Sequence, residues 1–98
     1  MFARVYTFEA EALDIRAAVV IAREQILPLE RKMEGFRGLV VLTDGDARKL
    51  VSITLWATEE DMQASTESAA TITRFAAATV HGKRRDLAQF EVAVFELP

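Results

Sequence analysis

The chain has 98 residues, of which 51% are hydrophobic and 28% charged, with 12 basic against 15 acidic side chains and no cysteine. That length fits one domain with a modest core and leaves no room for a second. The net charge of -3 argues against a phosphate-reading surface, and the missing cysteines exclude a disulfide framework, a thiolate nucleophile and a cysteine metal site.

Phe2 to Phe8 alternates larger aromatic or charged residues with smaller ones and reads as a strand with two unlike faces. Asp14 is placed to cap a helix in which Ile15, Ala18, Val19, Ala22 and Ile26 recur at three- and four-residue intervals as one apolar stripe, while Arg16, Arg23, Glu24 and Glu30 lie elsewhere. Val20 and Ile21 fall outside the stripe, so a second side of this helix is also apolar. Pro28 lacks a donor and crowds the preceding turn, which predicts a break near Gln25 to Leu27 and a last short turn to Glu34. Gly35-Phe36-Arg37-Gly38 ends the helix, with the glycines supplying backbone angles that other residues resist.

Leu39 to Thr43 and Lys49 to Trp56 then read as an antiparallel pair, joined by Asp44-Gly45-Asp46 with its positive-φ and side-chain-to-backbone chemistry. Thr58 stands three residues before Asp61, the spacing of a helix N-cap with an acidic partner, and Glu59 and Glu60 put negative charge on the positive end of the dipole. A helix is therefore predicted from Glu59 to about Val80, bent near Ser65 to Ser68 where hydroxyls compete with the helical ladder, and ended by Gly82. Lys83-Arg84-Arg85 reads as a solvated loop, too short to make a nucleic-acid surface, and Leu87 to Leu97 as a fourth strand.

The order β-α-β-β-α-β makes residues 1–98 a single α+β domain of the ferredoxin-like type, a four-stranded antiparallel sheet with two helices on one face. On the third strand Val51, Ile53 and Leu55 are uniformly apolar and are assigned to the helices. The opposite row, Leu50, Ser52, Thr54 and Trp56, is then left on the uncovered face with Phe2, Arg4, Tyr6 and Phe8 of the first strand. So much apolar surface predicts a homodimer in which two sheets pack face to face around a cavity. The longest apolar run, Ala17 to Ala22, falls far short of the ~20 residues that span a bilayer, and the chain opens in a strand-like segment without a leader, so a cytoplasmic protein is expected.

Gly35-Phe36-Arg37-Gly38 after a helix containing Pro28, the strand ending in Trp56, and Thr58-Glu59-Glu60-Asp61 together resemble the antibiotic biosynthesis monooxygenase-like domains of the dimeric α/β-barrel superfamily. The resemblance covers nearly the whole chain and implies a dimeric α/β barrel. For the oxygenase members it implies a substrate bound between sheet and helices and oxidised by O2 without flavin or metal, the substrate's own anion supplying the electrons. Trp56 matches the tryptophan at the end of the third strand in both the monooxygenase-like and the haem-degrading branches. The haem branch also uses an asparagine on the first strand and a histidine on the following helix. This chain has no asparagine, its one histidine is His81, and Thr66 or Glu67 occupies the region of the haem ligand. No haem, flavin or metal is therefore expected.

Each candidate site residue has two readings. Trp56 is a pocket wall or a core residue at a strand end. Arg4 and Tyr6 share a face and are suited to orienting an enolate or phenolate, or else form a cation–π or interface pair. His81 suits proton transfer, or serves as a dipole partner beside Gly82 at a helix C-terminus. Ser52 and Thr54 are hydrogen-bond donors to a ligand or ordinary strand residues. The catalytic candidates are thus Tyr6, Arg4 and His81, with Trp56, Tyr6, Arg4, Ser52 and Thr54 for binding, and no metal set. Two functions follow: a cofactor-independent oxygenase of aromatic or polyketide-like compounds, or a non-catalytic dimeric module that binds a small apolar ligand or only assembles.

Overall fold

A computed structural model describes residues 1–79 and 82–98, and of residues 73 and 75–79 the backbone alone. Its elements run β1 (Phe2–Glu9), α1 (Ala12–Ile21), a π-helical turn (Ala22–Ile26), α2 (Leu27–Glu30), β2 (Phe36–Asp44), β3 (Lys49–Trp56), α3 (Glu59–Ala64), α4 (Thr66–Thr79) and β4 (Lys83–Glu91). The four strands form one antiparallel sheet in the order β2-β3-β1-β4, the ferredoxin-like α+β arrangement with helices on one face. His81 lies outside the described residues.

The helix α1 starts earlier than Asp14. Glu11 takes the N-cap position with an extended backbone but makes no side-chain cap, because its carboxylate pairs with Arg48 at 3.1 Å, and Asp14 falls in the first turn, where the dipole favours its charge. The predicted break takes the form of a π turn. The Leu27 N–H reaches the Ala22 carbonyl five residues back, just before Pro28, whose missing donor makes a regular ladder impossible there. Leu13 and Val20 are the exposed large apolar residues of α1.

Gly35 adopts φ 78°, and a Cβ at that position would overlap the Asp61 side chain, so steric access and backbone angle both require glycine. Its carbonyl accepts from Ala57 N–H at 2.7 Å, tying the end of the helical layer to the end of β3. In the hairpin between β2 and β3 the positive φ belongs to Arg48, at 54°, and not to Gly45. Asp44 contributes as expected, its Oδ1 accepting from the Ala47 N–H at 3.1 Å. Thr58 caps α3 by accepting from Asp61 N–H at 3.0 Å, and Ser65 separates α3 from α4 within the predicted bend.

The last strand is displaced from its expected span: β4 covers Lys83–Glu91, and pairing ends near Val92, whose N–H donates to the Met1 carbonyl at 2.9 Å. Lys83-Arg84-Arg85 is therefore strand and not loop. Arg84 lies over the Tyr6 ring at 5.8 Å, and Arg85, at the bulge of the β1–β4 pairing, bridges to Glu9 at 3.2 Å.

The two faces of the sheet are exchanged relative to the sequence reading. Register aligns Arg4 with Thr54, Tyr6 with Ser52 and Phe8 with Leu50, and this row, with Trp56, faces the helices. Val40, Leu42, Val51, Ile53 and Phe90 lie on the face the helices leave open, where Leu42 and Phe90 are 51% and 55% exposed. The reason lies in the polar groups. Arg4, Thr54 and Trp56 satisfy their hydrogen bonds within the layer between sheet and helices, which offsets much of the cost of burying a mixed face. Apolar count alone therefore does not decide which face meets the helices.

Candidate functional site

A cavity of about 80 Å3 lies between the helices and the centre of the sheet. Ile15, Ala18, Ala22 and Ile26, the predicted stripe of α1 and the π turn apart from Val19, form one wall, and Ala69 and Ile72 of α4 contribute to it. The sheet supplies Phe8, Val41 and Leu50 as apolar floor and Tyr6, Ser52 and Thr54 as polar groups. Small alanine side chains on α1 and the π turn leave the space that larger residues would fill.

The expected site residues separate into two groups. Tyr6, Ser52 and Thr54 line the cavity. Trp56 and Arg4 stand on the same face but toward its end, 0% and 1% exposed, and are not among the lining residues. Trp56 donates from Nε1 to Thr54 Oγ1 at 3.1 Å and meets Phe36 edge-on at 5.7 Å between ring centres. Its Nε1–H occupies Thr54 as an acceptor, which leaves the threonine's own proton to donate.

Arg4 is held by the junction of α3 and α4. It donates to the Met62 carbonyl at 2.6 Å, to Ser65 Oγ at 3.0 Å and to Thr66 Oγ1 at 3.1 Å, and its guanidinium lies 5.9 Å from the Trp56 ring centre. Ser65 in turn donates to the Met62 carbonyl at 2.7 Å. This cluster explains why the second helix breaks at Ser65: the carbonyl and hydroxyls turn toward an arginine from the sheet instead of completing the ladder. Burial pushes the Arg4 guanidinium below its ordinary value, opposed by the nearby Tyr6 and Glu30.

Glu30, assigned by the sequence reading to a position off the apolar stripe, instead faces the cavity. It ends α2, lines the cavity, is only 6% exposed, and its Oε1 has no hydrogen-bond partner among the described residues. Burial pushes its carboxyl up to about 7, and the positive charge of Arg4 draws it only part of the way back. The available signal was its spacing: Glu30 follows Ile26 by four residues, on the continuation of the apolar stripe, whereas a glutamate facing water would fall off it. Pro28 hides that continuation, because it marks a helix break between the two residues where the helix in fact runs on to Glu30.

Among the described residues no three metal-ligating side chains cluster and no helix is long and apolar enough to cross a membrane.

The architecture and cavity define a ferredoxin-like domain with a small, partly open cavity under its helices. A family model described as "Antibiotic biosynthesis monooxygenase" matches residues 1–79, and the chain belongs to that family. The fold is similar to that of a monooxygenase from the gene ActVA-Orf6 of Streptomyces coelicolor in complex with nanaomycin D, with a TM-score of 0.75 and 17% identity over 99% of this chain and 91% of that one. It is also similar to SnoaB, a cofactor-independent oxygenase from Streptomyces nogalater, with a TM-score of 0.66 and 14% identity over 99% and 96% of the two chains. The haem degrader MhuD of Mycobacterium tuberculosis aligns with a TM-score of 0.68 and 18% identity over 98% and 99%. At these identities the likeness is one of fold. Two uncharacterised proteins of Mycobacterium tuberculosis, MT2635 and Rv2558, are 29% identical over 85 residues, and the match spans 87% of this chain but only 36% of their length.

Proposed function

We propose that the protein is a cofactor-independent monooxygenase acting on an aromatic or polyketide-like small molecule, and that it works as a homodimer. The observation that carries this reading is the apolar cavity into which Tyr6, Ser52, Thr54 and Glu30 bring polar groups from three different elements. A substrate ring contacts the apolar walls while the hydroxyls orient its oxygen. The substrate anion supplies electrons to O2, and the closed site keeps water from the reactive species. The descriptions of ActVA-Orf6 and SnoaB as a monooxygenase and a cofactor-independent oxygenase support the assignment. The half-exposed apolar face, with Leu42 and Phe90 at its surface, supports the dimer.

Oxygen uptake by the metal-free, flavin-free protein with a panel of phenolic and hydroxyquinone-type compounds tests the reading, with mass spectrometry of the product. One added oxygen atom is expected. Uptake that appears only after haem or flavin is supplied would remove the cofactor-independent assignment.

A second reading, a non-catalytic dimeric module that binds a small apolar ligand, is favoured by two observations: the cavity is only about 80 Å3, and the chain contains no asparagine. Under that reading ligands bind and leave unchanged.

A further inference from the structure

We infer that Glu30 is the proton acceptor of the cavity and that its substrates are compact carbon or oxygen acids, enolisable ring ketones or phenols of about one ring. The inference rests on the reading of the cavity as a substrate site, and it adds the group that generates the reactive anion.

Three observations converge on Glu30. First, a carboxyl that is 6% exposed with an unpartnered Oε1 among the described residues lines a cavity whose walls are mostly apolar, an arrangement that costs stability and so calls for a reason beyond packing. Second, the cation acting on it among the described residues, Arg4, is already committed to Met62, Ser65 and Thr66, so it tempers the charge of the carboxylate without quenching it in an ion pair. Third, hydroxyls of Tyr6, Ser52 and Thr54 line the same space from the sheet, and Thr54 retains a donor because its oxygen accepts from Trp56. Base on the helix side and donors on the sheet side form the pair of functions that enolisation requires.

The step balances within the cavity. A substrate C–H or O–H bond breaks, its proton forms an O–H bond on the Glu30 carboxylate, and the electron pair stays on the substrate as an enolate or phenolate. One negative charge is present before and after, moved from the carboxylate to a substrate oxygen that the sheet hydroxyls receive. A base near 7 is matched to this transfer at neutral pH, since it is largely ionised just above that value and still basic enough to take the proton.

Size sets the class. The cavity of about 80 Å3 is smaller than the roughly 150 Å3 that accommodates a benzene ring in an engineered cavity, so one ring enters with side-chain movement, whereas fused rings require the α1 wall to shift.

Deuterium exchange under anaerobic conditions tests the role without any oxygen chemistry. The wild-type protein in deuterium oxide is mixed with cyclohexanone; NMR follows exchange at the carbons beside the carbonyl, and saturation-transfer NMR measures binding. Exchange above the buffer rate is expected, rising with pH and levelling above about 7. Glu30→Gln should still bind the ketone and lose the excess exchange by about 100-fold or more, the usual range of a general base. Glu30→Asp, which keeps the carboxylate but shortens it, should retain a fraction. Binding with no excess exchange, or equal exchange in Glu30→Gln, would overturn the role of Glu30 and leave the cavity as a substrate site. Failure of cyclohexanone and of phenol to bind the wild type would overturn both.

Discussion

Trp56 and Thr54 stand two residues apart on the same side of β3, and the indole Nε1–H donates to the threonine Oγ1 at 3.1 Å. The tryptophan most readily read as a ligand platform instead supports the residue that reaches the cavity. It is fully buried, with Phe36 against its edge and the Arg4 guanidinium over its ring.

Trp56→Phe should therefore lower stability by about 1–3 kcal/mol, from lost contacts and a lost buried hydrogen bond, with ligand affinity changed by less than about threefold. Urea unfolding and calorimetric ligand titration on the same preparations measure the two effects separately. A large affinity loss at unchanged stability would return Trp56 to the cavity wall.

Arg4→Met should cost more than Trp56→Phe. It removes the three hydrogen bonds that Arg4 gives to the Met62 carbonyl, Ser65 and Thr66 in a buried cluster, leaving the bond from Ser65 to the Met62 carbonyl, a change of about 2–5 kcal/mol. It also removes the positive charge that holds the Glu30 carboxyl down, so the Glu30 titration should move to still higher pH in the variant. Carboxyl-carbon NMR of labelled glutamate checks the direction, and a downward shift would contradict the assigned coupling.

The topology was legible because its punctuation is local. Gly35 must be glycine for its φ, Thr58 marks a helix start, and the alternation of Phe2 to Phe8 needs no tertiary context. The face assignment was not legible, because Arg4 becomes a buried residue only when the Met62 carbonyl, Ser65 and Thr66 arrive from 58, 61 and 62 positions away. Glu30 was misplaced for a related reason. Its place on the stripe needs the helix to continue through Pro28 to the end of α2, where the proline had marked a break. Lys83-Arg84-Arg85 looked like a loop since its charges find Glu9 and the Tyr6 ring only through β-pairing.

Gly35→Ala should destabilise the fold, since alanine is strained at φ 78° and its Cβ meets the Asp61 side chain. The expected loss is about 1–3 kcal/mol, and Asp61→Gly in the same chain should recover the steric part but not the backbone part. A double-mutant cycle by thermal unfolding separates the two contributions. Full recovery would mean that the backbone angle carries no cost.

The open sheet face predicts the oligomeric state. A stable pair should bury about 800 Å2 per subunit, and sedimentation at micromolar concentration should give twice the chain mass. Leu42→Lys, at a position half exposed in the single chain, should shift the equilibrium to monomer because the charge is desolvated at a packed interface while a monomer tolerates it. A soluble wild-type monomer would remove the dimer from the functional reading.

Stability should also depend on pH through Glu30, with a sign opposite to that of an ordinary paired carboxylate. Its folded value of about 7 lies above the ordinary 4.5, so between these values the folded chain holds a proton that the unfolded chain has released. The contribution is fully present below about 4.5 and is lost as the pH rises through about 7, a difference of up to about 3 kcal/mol. Glu9 acts the other way. Its hydrogen bond and charge interaction with Arg85 hold its carboxyl low, so its contribution is lost only on acidification below the ordinary range. Among the described residues the charged group acting on Glu30 is Arg4, a guanidinium that stays protonated over this range, so this contribution follows the titration of Glu30 itself. Glu30→Gln should abolish that slope and make the protein more stable at pH 8 than the wild type, as urea titrations at pH 5, 6.5 and 8 measure. A wild-type stability that rises over this range would show that the carboxyl is paired and ionised in the folded state.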